Sequence, residues 1–122
     1  MKDFRDLKVW TKAHELALDC YGVTASFPKH EIFGIVSQIR RAGSSTGANI
    51  AEGCGRSTSN GEFQRFLQMA MGSASELENH LLLARDLLFL GSEQHGSVEA
   101  KVIEVKKMLA ALIRKIDSDR KQ

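Results

Sequence analysis

The sequence has little of what stapled, metal-bound or strand-rich proteins are built from: 122 residues contain one proline, one tryptophan, one tyrosine, two cysteines and four histidines. A single proline, together with plentiful Leu, Ala, Lys and Glu and 43% hydrophobic residues, suits helices rather than many short strands. Cys20 and Cys54 lie far apart, without a CxxC unit or a histidine at ligand spacing, and they read as reduced core or boundary thiols. A helical chain of this size does not need a disulfide between them. His14, His30, His80 and His95 are scattered, with no HExxH and no Glu-x-x-His pair, and each reads as a surface or boundary residue. No metal, cofactor or catalytic constellation is therefore expected. Apolar runs stop after a few residues, and the first ten, MKDFRDLKVW, have no apolar centre. The expectation is a cytoplasmic protein without a membrane partner, formed as one domain over residues 1–122.

What the chain does have is an unusual run, SQIRRAGSSTGANIAEGCGR, from Ser37 to Arg56. Ile32, Ile35, Val36, Ile39, Ala42, Gly43, Thr46, Ile50 and Gly53 keep the three-and-four spacing of one helix face. Along that face the large apolar residues give way to alanine and glycine, so a neighbouring element must approach closely. Asn49 falls on the same face, where a buried amide needs a hydrogen-bond partner, and Glu52 is its neighbour at i+3. GCGR lacks the spacing and the preceding strand of a phosphate-binding loop; it reads as a tight turn from which Arg56 reaches back to a helix end.

Four helices are predicted. The first spans Leu7 to Ser26, with Leu7, Trp10, Ala13, Ala17, Tyr21 and Thr24 on its core stripe, and ends at Phe27-Pro28. The second runs from Lys29 to Gly53. Ser59 and Glu62 have capping-box spacing for the third, whose Phe63, Leu67, Ala70, Ala74, Leu77, Leu81, Ala84 and Leu88 alternate steps of four and three. Gly91 is its expected stop. After SEQHGS, Val98, Val102, Val105, Leu109, Leu112 and Ile116 mark the fourth, and the tail DSDRKQ is expected to fray. The class is all-α, and short connections make an antiparallel up-down-up-down bundle the simplest arrangement. Phe66, Met69, Leu82, Leu83, Phe89 and Leu90 lie off the main seam of the third helix, an apolar excess that predicts homo-oligomerisation.

FRDLKVWTKAHELA, FPKHEIFGIVSQIRRA, NIAEGCGR, EFQRFLQMAMGSASELE and KMLAALIRKI together resemble the four-helix-bundle family named after intervening sequences in 23S ribosomal RNA. The resemblance covers nearly the whole chain, and NIAEG followed by G-R downstream of QIRRA is its most specific part. It implies a bacterial bundle assembled as a homopentameric ring, with no established enzyme activity. A looser likeness is to the accessory variability proteins of diversity-generating retroelements, whose pentameric barrel binds a reverse transcriptase and nucleic acid. Those proteins are strongly basic, whereas this chain carries a net charge of +2.

The motif carries over to Arg41, Asn49, Glu52, Gly53 and Arg56, with Ser73 and Glu76 from GSASELE. Their chemistry suits a buried polar network, guanidinium groups neutralising Glu52 and Glu76, that sets the register of the second helix against the third. Charge is unevenly placed: residues 61–100 hold 2 basic and 6 acidic groups, residues 101–122 hold 7 and 3. Lys8 and Lys12, with Lys2 and Arg5, and Lys101, Lys106, Lys107, Arg114 and Lys115, with Arg120 and Lys121, form the candidate RNA- or DNA-binding set. Such a patch reads phosphates, not bases. Two functions follow: a non-enzymatic scaffold or adaptor for a protein partner that the sequence does not identify, and a nucleic-acid-binding accessory factor.

Overall fold

The computed structural model describes residues 3–121. It contains α1 (Lys8–Thr24), α2 (Ile35–Arg56), α3 (Asn60–Asp86) and α4 (Ser92–Arg120), with short 3₁₀ turns at Phe4–Asp6 and Lys29–Glu31. No strand occurs among the described residues, and the protein is an all-α, four-helix structure.

The small-residue face of α2 is buried as its spacing predicts, from Ile35 through Ile39, Ala42, Gly43, Thr46 and Ile50 to Gly53; Ile32 stays outside. The α3 seam from Phe63 to Ala84 is buried without a break, and so are Val98, Val102, Val105, Leu109 and Ile116 of α4. Together these residues form one hydrophobic core, whose burial supplies the main driving force for folding.

In α1 the core stripe is rotated from the expected one. Val9, Ala13, Leu16, Cys20 and Thr24 go inside. Trp10 is only half-buried, with its ring edge to face with Phe4 and stacked on His14, and Tyr21 is 51% exposed beneath the Arg40 guanidinium. The reason lies on α2. Gly43 brings the two backbones so close that an added Cβ would stand 2.9 Å from the Cys20 sulfur. At this point the seam admits no side chain larger than Cys20, and the aromatic rings are left at its margin.

Helix ends also differ from the predicted ones. α2 starts at Ile35 because Lys29–Glu31 forms its own turn and Gly34 takes a non-helical conformation, φ −106° and ψ −119°. It then continues helically through Gly53 and Gly55 to Arg56, so GCGR is a last helical turn and not a loop. The Ser59 hydroxyl accepts from the Glu62 amide as a capping box requires, but the Glu62 carboxylate accepts from the amide and hydroxyl of Thr58, one residue earlier than expected.

α3 ends at Asp86, with Leu87 as its cap and Leu88 as the turn residue, and not at Gly91. The Leu88 amide donates to the Arg85 carbonyl and the Phe89 amide to the Ala84 carbonyl, both at 3.0 Å, which is the Schellman pattern with leucine at φ 67° where glycine is usual. SEQHGS is helical. Gly91 caps α4, its carbonyl accepting from the His95 amide at 2.9 Å. The helix runs on to Arg120, whose guanidinium donates to Gln64 Oε1 at 2.6 Å and so ties down most of the tail expected to fray.

Contacts between helices pair sequence positions in opposite order. Gln64 donates to the Ile113 carbonyl at 3.2 Å while Lys106 meets Glu78 at 2.8 Å. Arg40 Nε donates to Thr24 at 2.9 Å, and Gly47 packs beside Trp10 and Ala13.

Candidate functional site

Residues carried by the NIAEG motif do not form a buried network within one chain. The Asn49 amide donates at 2.9 Å to the carbonyl of Ser45, one turn back in its own helix. Glu52 accepts from Arg56 at 3.0 Å in an exposed i,i+4 pair, a surface interaction. α2 extends to Arg56, so this guanidinium runs back along its own helix instead of crossing to another. Asn49 is half-buried, Glu52 and Arg56 are exposed, and Gly53 is the fully buried member of the set.

Arg41 and Glu76 do come together. With Gln38 and His80 they line an open polar groove of about 250 Å³ between α2 and α3. His80 Nδ1 is buried there without a hydrogen-bond partner. Ser73, half-buried, sits one turn before Glu76. These side chains meet at the surface because large core residues, Leu77 among them, occupy the inner face of α3.

The basic set is divided by its partners. Lys12 faces Glu104 of α4 at 3.7 Å and Glu15 at 4.0 Å, Lys106 binds Glu78, and Lys101 binds Asp19. The Asp19 carboxylate, accepting from Lys101, pushes this ammonium group above its usual range. Arg5 pairs with Asp3 and Lys121 with Asp117. Lys8, Lys107, Arg114 and Lys115 have no carboxylate in ion-pair contact among the described residues. Lys2 lies outside the described residues.

Both thiols are protonated at neutral pH. Burial pushes Cys20 up from 9.0 to about 12, with the Asp19 charge adding to it, and burial also raises Cys54. Neither is an activated nucleophile. Cys54 borders an apolar cavity of about 200 Å³ with Leu7, Phe63, Leu112 and Ile116, where Lys115 and Asp119 supply charge. Among the described residues no three His, Cys, Asp or Glu side chains gather to hold a metal ion. No described helix is long and apolar enough to cross a membrane.

Three features had no clear signal in the sequence. His95 is 4% exposed inside the first turns of α4, with Nε2 3.8 Å from Glu99, although it reads from the sequence as a surface or boundary residue. Phe33 and Leu88 are almost wholly exposed despite lying in apolar stretches. Of the α3 residues read as excess, Met69 and Leu83 are exposed, whereas Leu90 is inside and Phe89 packs against Phe27.

Comparison with solved structures finds a protein of unknown function from the S23 ribosomal protein family of Bacteroides thetaiotaomicron. It is 29% identical, with a TM-score of 0.79, over 87% of this chain and 95% of the other. A search of curated proteins finds no match. The motif residues, the four-helix fold and a match of residues 5–111 to the family profile agree: the chain belongs to the 23S rRNA-intervening sequence protein family.

Proposed function

We propose that the chain is a non-enzymatic scaffold or adaptor that works as a homo-oligomer. Its protomer is an up-down-up-down bundle and its assembly a homopentameric ring in the cytoplasm. One observation carries this reading: among the described residues nine large apolar side chains, from Ile103 at 38% to Phe33 at 95%, are exposed. The opposite-order contacts between helices support the bundle topology. The half-buried Asn49, with exposed Arg41, Glu52, Arg56 and Glu76, then provides polar groups for contacts between subunits rather than within one.

Native mass spectrometry tests the assembly. Assemblies built from multiples of five 13.5 kDa chains are expected; a monomer at micromolar concentration overturns the reading.

A second reading, phosphate binding to RNA or DNA, rests on Lys8, Lys107, Arg114 and Lys115. Repeated around a ring, these four cations make a multivalent surface. Fluorescence anisotropy with a structured RNA and a single-stranded DNA separates the readings. Binding that weakens steeply with salt and disappears when these four are reversed to glutamate favours nucleic acid. No binding at low salt leaves the scaffold.

A further inference from the structure

We infer that the end of the bundle carrying Phe33 and Leu88 is a two-fold contact surface for a second copy of this chain. Five of the nine exposed large apolar side chains, Ile32, Phe33, Leu83, Leu87 and Leu88, belong to the segments that meet at this end. Phe27 and Phe89 join the two connections, their ring centroids 5.8 Å apart. Gln38 and His80 line one groove, so the start of α2 lies beside the end of α3.

Leu88 is the telling residue. It holds φ 67°, a conformation unfavourable for a β-carbon, and is 89% exposed. Glycine would make the same turn without that cost. Folding of one chain therefore does not account for an outward leucine at this position; coverage by another surface does.

Charge around the apolar centre selects the partner. Arg85 pairs with Asp86 at 3.0 Å, and the Lys29–Glu31 turn carries one lysine and one glutamate. The rim carries both signs, largely matched locally. An anionic membrane or a nucleic acid is attracted by charge of one sign, whereas an identical surface meets this rim without net repulsion. The five side chains offer enough area that two copies bury roughly 1,200 Å² in all, the lower limit of a specific interface. A two-fold contact buries the same patch on both copies and cannot close a ring of five. It joins two assemblies end to end and stands apart from the ring contact.

The test is the mass of wild type and of Phe33→Asp/Leu88→Asp by native mass spectrometry and sedimentation over a concentration series, with far-UV circular dichroism. An even multiple of 13.5 kDa for wild type, halved in the variant with unchanged helicity, is expected. Equal masses overturn the inference. A dimer reduced to a monomer supports this contact while refuting the ring; a pentamer unchanged by the substitutions does the reverse. If the double variant loses helicity, Phe33→Ser, which alters a side chain 95% exposed, is read by the same criterion. Wild type that sediments with phosphatidylserine vesicles, and a Phe33→Asp variant that does not, with no change in mass, assigns this end to a lipid surface and overturns the two-fold contact.

Discussion

Gly53 of α2 lies so close to Phe66 of α3 that a Cβ built on it would stand 2.7 Å from the Phe66 Cβ and 3.1 Å from Phe63 Cδ1. The glycine inside NIAEG is thus a close-approach site, and α2 stays helical across it despite glycine's low propensity.

Gly53→Ala should destabilise the fold by about 1–3 kcal/mol, since overpacking outweighs the ~1 kcal/mol that alanine gains in a helix. Gly72 and Gly96, in α3 and α4, have open space where a Cβ would go. Alanine at either should stabilise by ~0.5–1 kcal/mol. Chemical denaturation of the three variants checks the sign of each; a stabilised Gly53→Ala protein contradicts the close-packing account.

Leu88→Gly should raise the stability of the single chain by ~1 kcal/mol, because the φ of 67° ceases to be strained, partly offset by the freer unfolded chain. Thermal unfolding at low protein concentration measures this. The same substitution should weaken end-to-end association, so the two effects have opposite signs.

Cys20 gives the fold a pH dependence at the alkaline end. Its folded pKa is raised, so the thiol's contribution to stability is complete below the unfolded value of 9.0 and is lost as pH rises through that window toward about 12. Denaturation midpoints should fall over that range, and by less in Cys20→Ala relative to its own value at neutral pH. In the native protein at pH 8, a thiol reagent should leave Cys20 unmodified until the chain unfolds.

Lys106 and Glu78 form a half-buried ion pair between α3 and α4 at 2.8 Å. Glu78→Gln should cost roughly 0.5–1 kcal/mol. A double-mutant cycle with Lys106→Met should return a coupling of that order at low salt and less at high salt. Zero coupling at low salt would leave Lys106 free for phosphate.

Leu77, fully buried at the middle of the α3 seam, anchors the core. Leu77→Ala should lose about 2–5 kcal/mol through the lost transfer energy and the cavity left behind, read from the shift in denaturant midpoint.

Periodicity alone identified the α3 seam from Phe63 to Ala84, the α4 seam apart from the half-buried Leu112, and the buried face of α2 from Ile35 onward, since residues that recur at three and four share one helix face. The motif residues likewise marked the family. Tertiary contacts decided the rest. Trp10 and Tyr21 share helical spacing with Ala13 and Thr24, but the close approach of Gly43 to Cys20 sets which face of α1 goes inside, and the buried stripe runs through Val9, Ala13, Leu16 and Cys20. Gly53 and Gly55 read as a break because local propensity disfavours glycine in helices; the packing of Gly53 against Phe63 and Phe66 overrode it. Asn49 kept its hydrogen bond inside its own helix, a choice that spacing cannot reveal. The outward Leu88 depends on the backbone angle at a helix end, set by the Schellman hydrogen bonds and invisible to a hydrophobic pattern that counts leucine as core.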